Sequence, residues 1–231
     1  MLWHTNLLLL AATAQAHYKF SKLVINGVPE AKEWTAVRQT KSYQSNQGVD
    51  NVSSPDMRCF QRQPGTATAR VATGEKLGFA ASAEVNHIGP VSFYMAKVPE
   101  GANINTWEPA GKVFFKVGAI DAVGAPKLTS TAATWPAYTK KIVDFTVPKA
   151  LPNGKYIVRV ESIALHQASY KGGAQIYLAC GQVEVTGGGN GKPSPLVAFP
   201  GAYNADDPGL SWSYYPVRTS YTAPGPPVWH G

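Results

Sequence analysis

"KYIVRVESIAL", residues 155–165, decides the fold class. Side chains alternate between the two sides of an extended chain. Here Tyr156, Val158 and Val160 fall on one side, and Lys155, Arg159 and Glu161 on the other. Ile157 interrupts the polar side, so the alternation is imperfect. Runs of the same kind lie on either side of it: "HYKFSKLVI" at 17–25, "ARVATG" at 69–74, "KLGFAAS" at 76–82, "VSFYMAKV" at 91–98, "VFFKVG" at 113–118, "KIVDFTV" at 141–147 and "AQIYLACGQVEV" at 174–185. The 22 glycines and 18 prolines punctuate them, and no segment carries a long helical period. Many short strands separated by turn signals predict an all-β chain, an immunoglobulin/fibronectin-like antiparallel β-sandwich with long loops. Two stretches are long and turn-rich, residues 34–58 and the tail from Gly187 onward. Loops of that length on a rigid sandwich commonly carry function. "TGGGNGKP" at 186–193 lacks the spacing of a phosphate-binding loop and reads as a flexible connection.

The N-terminus reads as a targeting segment. A short apolar core, Leu7 to Leu10, is followed by Ala14-Gln15-Ala16, the small-residue pattern of a cleavage site. The apolar stretch is too short to span a bilayer. Residues 1–16 are expected to be a signal peptide, which leaves residues 17–231 as one β-sandwich domain with no carbohydrate-binding module. The product should be secreted, extracellular, soluble and monomeric. Cleavage after Ala16 makes His17 the first residue, with an amine and an imidazole on one residue. In an oxidising compartment the only two cysteines, Cys59 and Cys180, predict one disulfide. Asn51-Val52-Ser53 is a glycosylation sequon at Asn51, which fits secretion.

The formal charge of +7 raises the question of nucleic acid, but only Lys140-Lys141 are adjacent basic residues. Without a basic run or helix to follow a phosphate backbone, neither nucleic acid nor a membrane surface is an expected partner, and most lysines and arginines read as solvated.

Five histidines are present. His4 would leave with the signal peptide, and His230 is next to the last residue. His17, His87 and His166 remain. His87 stands before the Gly-Pro of "VNHIGPVSF", and His166 ends the strand-like run at 155–165. Nine residues later, Gln175 and Tyr177 would share one face of an extended segment, an amide and a phenol near His166. Two histidines, one of them N-terminal, offer three nitrogens. Such a set with a weak axial oxygen suits Cu(II), which also tops the divalent affinity order. Zinc prefers four tetrahedral ligands.

The chain resembles the fungal lytic polysaccharide monooxygenases of auxiliary-activity family nine, formerly glycoside hydrolase family sixty-one. The resemblance rests on the order and spacing of "HYKF", "VRQTKSYQSN", "NVSSPDMRCF", "HIGPVSFYMAKV", "IALHQA", "GGAQIYLACGQVEVTGGG", "FPGAYNADDPG" and "TSYTAPGPPVW", which run from His17 to Trp229. It implies that one copper is bound by the amine and ring of His17 and by His87, with Tyr177 axial. It implies that His166 and Gln175 hydrogen-bond the oxidant, and that Cys59 pairs with Cys180. Many relatives carry a second disulfide, which this sequence lacks. Tyr214 or Tyr215, and also Tyr43, correspond to tyrosines that stack on glucose rings. The implied reaction is oxidative cleavage of cellulose or a related β-1,4-glucan by dioxygen or hydrogen peroxide, with an external electron donor and C1 oxidation favoured over C4.

Two other functions compete. A glycoside hydrolase needs two carboxylates at a set separation, and the only suggestive pair, Asp206 and Asp207, is merely adjacent in sequence. A non-catalytic secreted protein that binds copper or glucan would need His17 and His87, but would give His166 and Gln175 no purpose.

Overall fold

The computed structural model describes residues 17–124 and 127–231. The expected signal peptide, residues 1–16, lies outside the described residues. The strands are β1 (Phe20–Ile25), β2 (Val28–Pro29), β3 (Gln39–Thr40), β4 (Gln61–Gln63), β5 (Ala69–Ala72), β6 (Lys76–Ala81), β7 (Val91–Lys97), β8 (Phe114–Ile120), β9 (Ile142–Thr146), β10 (Gly154–Ala164) and β11 (Gln175–Thr186). Each of the eight runs read from sequence coincides with one of them to within three residues at either end. One sheet has the order β2-β1-β6-β9, and the other has the order β5-β11-β10-β7-β8. The pairings are antiparallel except at one edge, where β5 runs parallel to β11. The chain is therefore a β-sandwich, as expected, with one parallel edge pair.

The two sheets meet in an apolar layer. Leu23, Phe79, Val143 and Phe145 of the first sheet pack among Phe93, Met95, Phe115, Val158, Val160 and Ala179 of the second. Phe93 and Phe145 approach to 4.9 Å between ring centroids. Tyr156, Val158 and Val160 belong to this layer, as the alternation predicts.

The opposite face of β10 departs from the sequence reading. Arg159 and Glu161 are fully buried instead of solvated. The tail folds back over this face and brings Phe199, Tyr203 and Trp212 with it. Arg159 Nη1 donates to Glu161 Oε2 at 2.6 Å, and its Nε donates to the Met57 carbonyl at 3.0 Å. Glu161 Oε1 accepts from the Tyr203 hydroxyl, which lies 2.6 Å from the hydroxyl of Tyr94. A buried ion pair is tolerable when further hydrogen bonds occupy most of its remaining atoms, and here Arg159 Nη2 is the one left without a partner among the described residues. Arg38 and Lys116 are likewise buried, donating to the carbonyls of Ile104 at 2.6 Å and Pro224 at 3.0 Å.

The long loops are tied down. Cys59 and Cys180 form the expected disulfide across 121 positions, worth roughly 4–5 kcal/mol in the chain-entropy model. The segment beginning at residue 34 is fastened to β11 through Arg38 N–H to Cys180 O at 2.8 Å and Val49 N–H to Ile176 O at 2.9 Å. The glycine-rich stretch at 186–193 is a strap and not a loose connection. Gly189 and Gly191 donate to the carbonyls of Leu151 and Ala150 at 3.1 and 2.8 Å.

Candidate metal centre

The register of β10 and β11 builds one side of the site. Ala164 pairs with Gln175, and Ser162 with Tyr177. Gln175 and Tyr177 thus share a face, and the Tyr177 hydroxyl donates to Gln175 Oε1 at 3.1 Å. His166 lies two residues beyond the end of β10.

His87 comes from the other flank of β10. The "HIGP" turn extends the β7 pairing, with Leu165 N–H donating to Ile88 O at 2.9 Å and Ile163 N–H to Pro90 O at 3.0 Å. Gly89 makes this approach possible. Its φ is +141°, and a β-carbon there would stand 1.7 Å from the Ile163 carbonyl oxygen. The turn places His87 against His166, and their rings stack at 4.2 Å with 15° between planes. His87 Nε2 faces the Tyr177 hydroxyl at 3.2 Å.

His17 arrives from the other sheet, three residues ahead of β1. Its neighbour Tyr18 is buried, lies nearly parallel to Tyr177 at 4.5 Å, and donates its hydroxyl to Ser162 Oγ at 2.8 Å. This fixes the chain so that the exposed His17 ring sits 6.3 Å from both His87 and Tyr177, edge-on to His87 at 84°.

The protonation states suit metal binding. Burial, and then the neighbouring rings of His166 and His17, push His87 down to about 4, so its ring is neutral at neutral pH. Burial and then His17 lower His166 as well. Burial raises the Tyr177 phenol to about 12, so it stays protonated. His166 Nδ1 is buried with no hydrogen-bond partner among the described residues. No cluster of three or more His, Cys, Asp or Glu side chains able to hold a metal is found among the described residues. The donors brought together are two imidazoles and a phenol, a set that suits copper and offers zinc too few ligands. A free amine on His17 would supply the third nitrogen.

The other sequence candidates are distributed around this centre. Tyr43 is half-buried beneath the Arg62 guanidinium, 4.7 Å from its ring centroid, and its carbonyl accepts from Lys19 Nζ at 2.9 Å. Tyr214 and Tyr215 are exposed, and Tyr214 meets the buried Trp212 edge-on at 6.4 Å. Trp212 N–H donates to the carbonyl of Ala168, two residues past His166, at 2.8 Å. Asn51 is exposed, and its Oδ1 accepts from Ser53 N–H at 3.0 Å. Asp206 pairs with Lys171 at 2.6 Å, while Asp207 accepts from Gly209 N–H at the start of a short helical turn. Both carboxylates thus have local structural partners.

The sequence reading missed Tyr18, Ser162 and Gly89. Tyr18 and Phe20 sit at strand spacing directly after His17, which marked an inward face. Gly89 between His87 and Pro90 marked a special turn. Nothing local identified Ser162.

Residues 17–221 match the model of Auxiliary Activity family 9, formerly GH61. The chain is 47% identical over 228 residues to AA9 family lytic polysaccharide monooxygenase H of Malbranchea cinnamomea, covering 97% of each chain. It is 46% identical over 227 residues to monooxygenase C of Emericella nidulans, covering 96% of this chain and 95% of that one. Among solved structures it is similar to a cellulose-active polysaccharide monooxygenase from M. thermophila, with a TM-score of 0.79, 26% identity, and coverage of 93% and 100%. The extended catalytic domain of H. jecorina LPMO9A gives a TM-score of 0.80 at 26% identity, with coverage of 93% and 92%.

Proposed function

The chain belongs to Auxiliary Activity family 9, a family of copper enzymes that cleave polysaccharides oxidatively, and from that premise we propose that it cleaves cellulose or a related β-1,4-glucan, with C1 oxidation favoured over C4. The observation that carries this reading is the convergence of His17, His87 and Tyr177, drawn from both sheets, at one edge of the sandwich. The ring and free amine of His17 and Nε2 of His87 would hold one copper, with the Tyr177 phenol beside them as a weaker oxygen donor. Copper held there would supply the one-electron chemistry that activates dioxygen or, in a peroxygenase cycle, hydrogen peroxide, once an external donor has reduced it.

The remaining residues set up that chemistry. A neutral His87 presents a lone pair without first losing a proton. Tyr177 spends its hydroxyl hydrogen on Gln175 Oε1, which leaves the Gln175 amide nitrogen to act as a donor. His166, held by its stack on His87, has an unpaired Nδ1 at which a proton can be held or released. Tyr214, braced on Trp212, together with Tyr215 and Tyr43, would contact glucose rings. The enzyme is read as a secreted monomer, cleaved after Ala16 and glycosylated at Asn51.

The test is mass spectrometry of products from amorphous cellulose with copper, with and without ascorbate. Aldonic acids that depend on the reductant support the reading. Unoxidised sugars released equally with or without reductant would overturn it in favour of a hydrolase, and no products at all in favour of a binding protein.

A further inference from the structure

The segment joining His166 to Gln175 carries an exposed aromatic residue that the reading above leaves unused. Tyr170 is 61% exposed, yet its ring has a fixed seat. Its carbonyl accepts from Gly173 N–H at 3.0 Å. A β-carbon on Gly173 would stand 3.1 Å from Tyr170 Cζ and 1.9 Å from the Gln167 carbonyl oxygen. Glycine at 173 therefore lets the loop close and lets the ring lie against its backbone, with the outer face free.

The loop is held at both ends and in the middle. His166 and Gln175 both belong to the candidate metal centre. Ala168 is joined to Trp212, and Lys171 forms an ion pair with Asp206 at 2.6 Å, so the loop and the tail that carries Tyr214 form one surface. Tyr170 is four residues from His166. At about 3.6 Å per residue their α-carbons can be no more than roughly 14 Å apart. Among the described residues, the exposed large hydrophobic side chains include three aromatics, Tyr170, Tyr214 and Tyr215, and each is carried by this loop or by the tail joined to it.

We propose that Tyr170 is a further glucan-contacting residue, which extends the binding face along the His166 side of the centre. This rests on the glucan reading and adds a residue to it. The surroundings favour a sugar over a protein partner. Along the chain the ring is flanked by Ser169, Lys171, Gly172 and Gly173, and the charges of Lys171 and Asp206 are paired with each other. An isolated flat ring bordered by small and hydrogen-bonding groups matches the apolar face and hydroxyl rim of a glucose unit. A tyrosine also loses little freedom on binding.

The experiment compares wild type, Tyr170→Ala, Tyr170→Phe and, as a remote exposed control, Val28→Ala in partition onto cellulose. Tyr170→Ala should bind about tenfold more weakly, the size of one aromatic contact. Tyr170→Phe and Val28→Ala should bind as wild type does, and copper affinity by calorimetry should not change in any variant. Chemical nitration of Tyr170 in the unaltered protein should be slowed by cellulose, a readout independent of how any variant folds. Wild-type binding by Tyr170→Ala, or nitration indifferent to cellulose, overturns the role of Tyr170 while leaving the glucan reading intact. Failure of the wild type to bind cellulose overturns both.

Discussion

His87, in the turn before β7, and His166, just past the end of β10, stack their rings at 4.2 Å, yet only His87 turns a nitrogen toward Tyr177. The two should therefore separate by experiment. His87→Ala removes one of three nitrogens and should weaken copper binding by more than about 100-fold, beyond the range typical of a supporting residue. His166→Ala should keep affinity within about tenfold and lose most oxidative activity. Tyr177→Phe should keep copper and change its electronic spectrum, because a neutral phenol oxygen would be a weak donor beside three nitrogens. Copper calorimetry on the three variants checks this, and equal affinity in wild type and His87→Ala would contradict the assignment.

Gly89 holds that relationship in place. Alanine at 89 meets both an unfavourable φ and a carbonyl oxygen at 1.7 Å. Gly89→Ala should destabilise the chain by more than about 2 kcal/mol, since the backbone must move to relieve the clash. The movement displaces His87, so copper affinity should fall along with the melting temperature. An unchanged melting temperature would show that the turn yields freely.

The acid limb of stability should report His87. Its folded value of about 4 lies below the unfolded value near ~6.5, because burial and the two neighbouring rings disfavour the charged form. The unfolded chain then binds the extra proton first. The resulting stability is fully present above about pH 6.5 and is lost as pH falls toward 4. Lowered by the same kind of environment, His166 adds in the same direction. Denaturant unfolding of metal-free protein between pH 7.5 and 4 should show this slope, and His87→Gln should flatten it.

The sandwich was legible because strand alternation is a local property. All eight runs read from sequence became strands, whereas β2, β3 and β4, each two or three residues long, exist only through pairings such as Gln39 with Gln63. Alternation in β10 separated two faces but could not show what covers the second one. A tail more than thirty residues away in sequence supplies Phe199 and Tyr203, and so buries Arg159 and Glu161. The site divides in the same way. Residue types and the Gln175–Tyr177 spacing marked its members. The approach of His87 to His166 depends on a turn packed against β10, and that of His17 on Tyr18 stacked over a strand of the opposite sheet.

The N-terminus provides the strictest test. With Ala16 attached, the nitrogen of His17 is an amide and a poor donor. After cleavage it is an amine with a reference pKa near ~8 that must lose its proton to bind. His87 is already neutral down to about 4, so it imposes no proton competition over the working range. Copper affinity should accordingly fall as pH drops below about 8, mainly through the amine of His17. The ring contacts that place His17 involve Tyr18 and Tyr177 and do not need a free amine. Protein kept with one alanine before His17 should therefore fold and melt like the cleaved form. It should bind copper at least about 100-fold more weakly, as expected for a lost ligand rather than a lost supporting contact. It should also be nearly inactive on cellulose. Calorimetric titration of both forms, with intact mass to confirm each N-terminus, decides the matter, and equal affinity and cleavage rates would show that the amine takes no part.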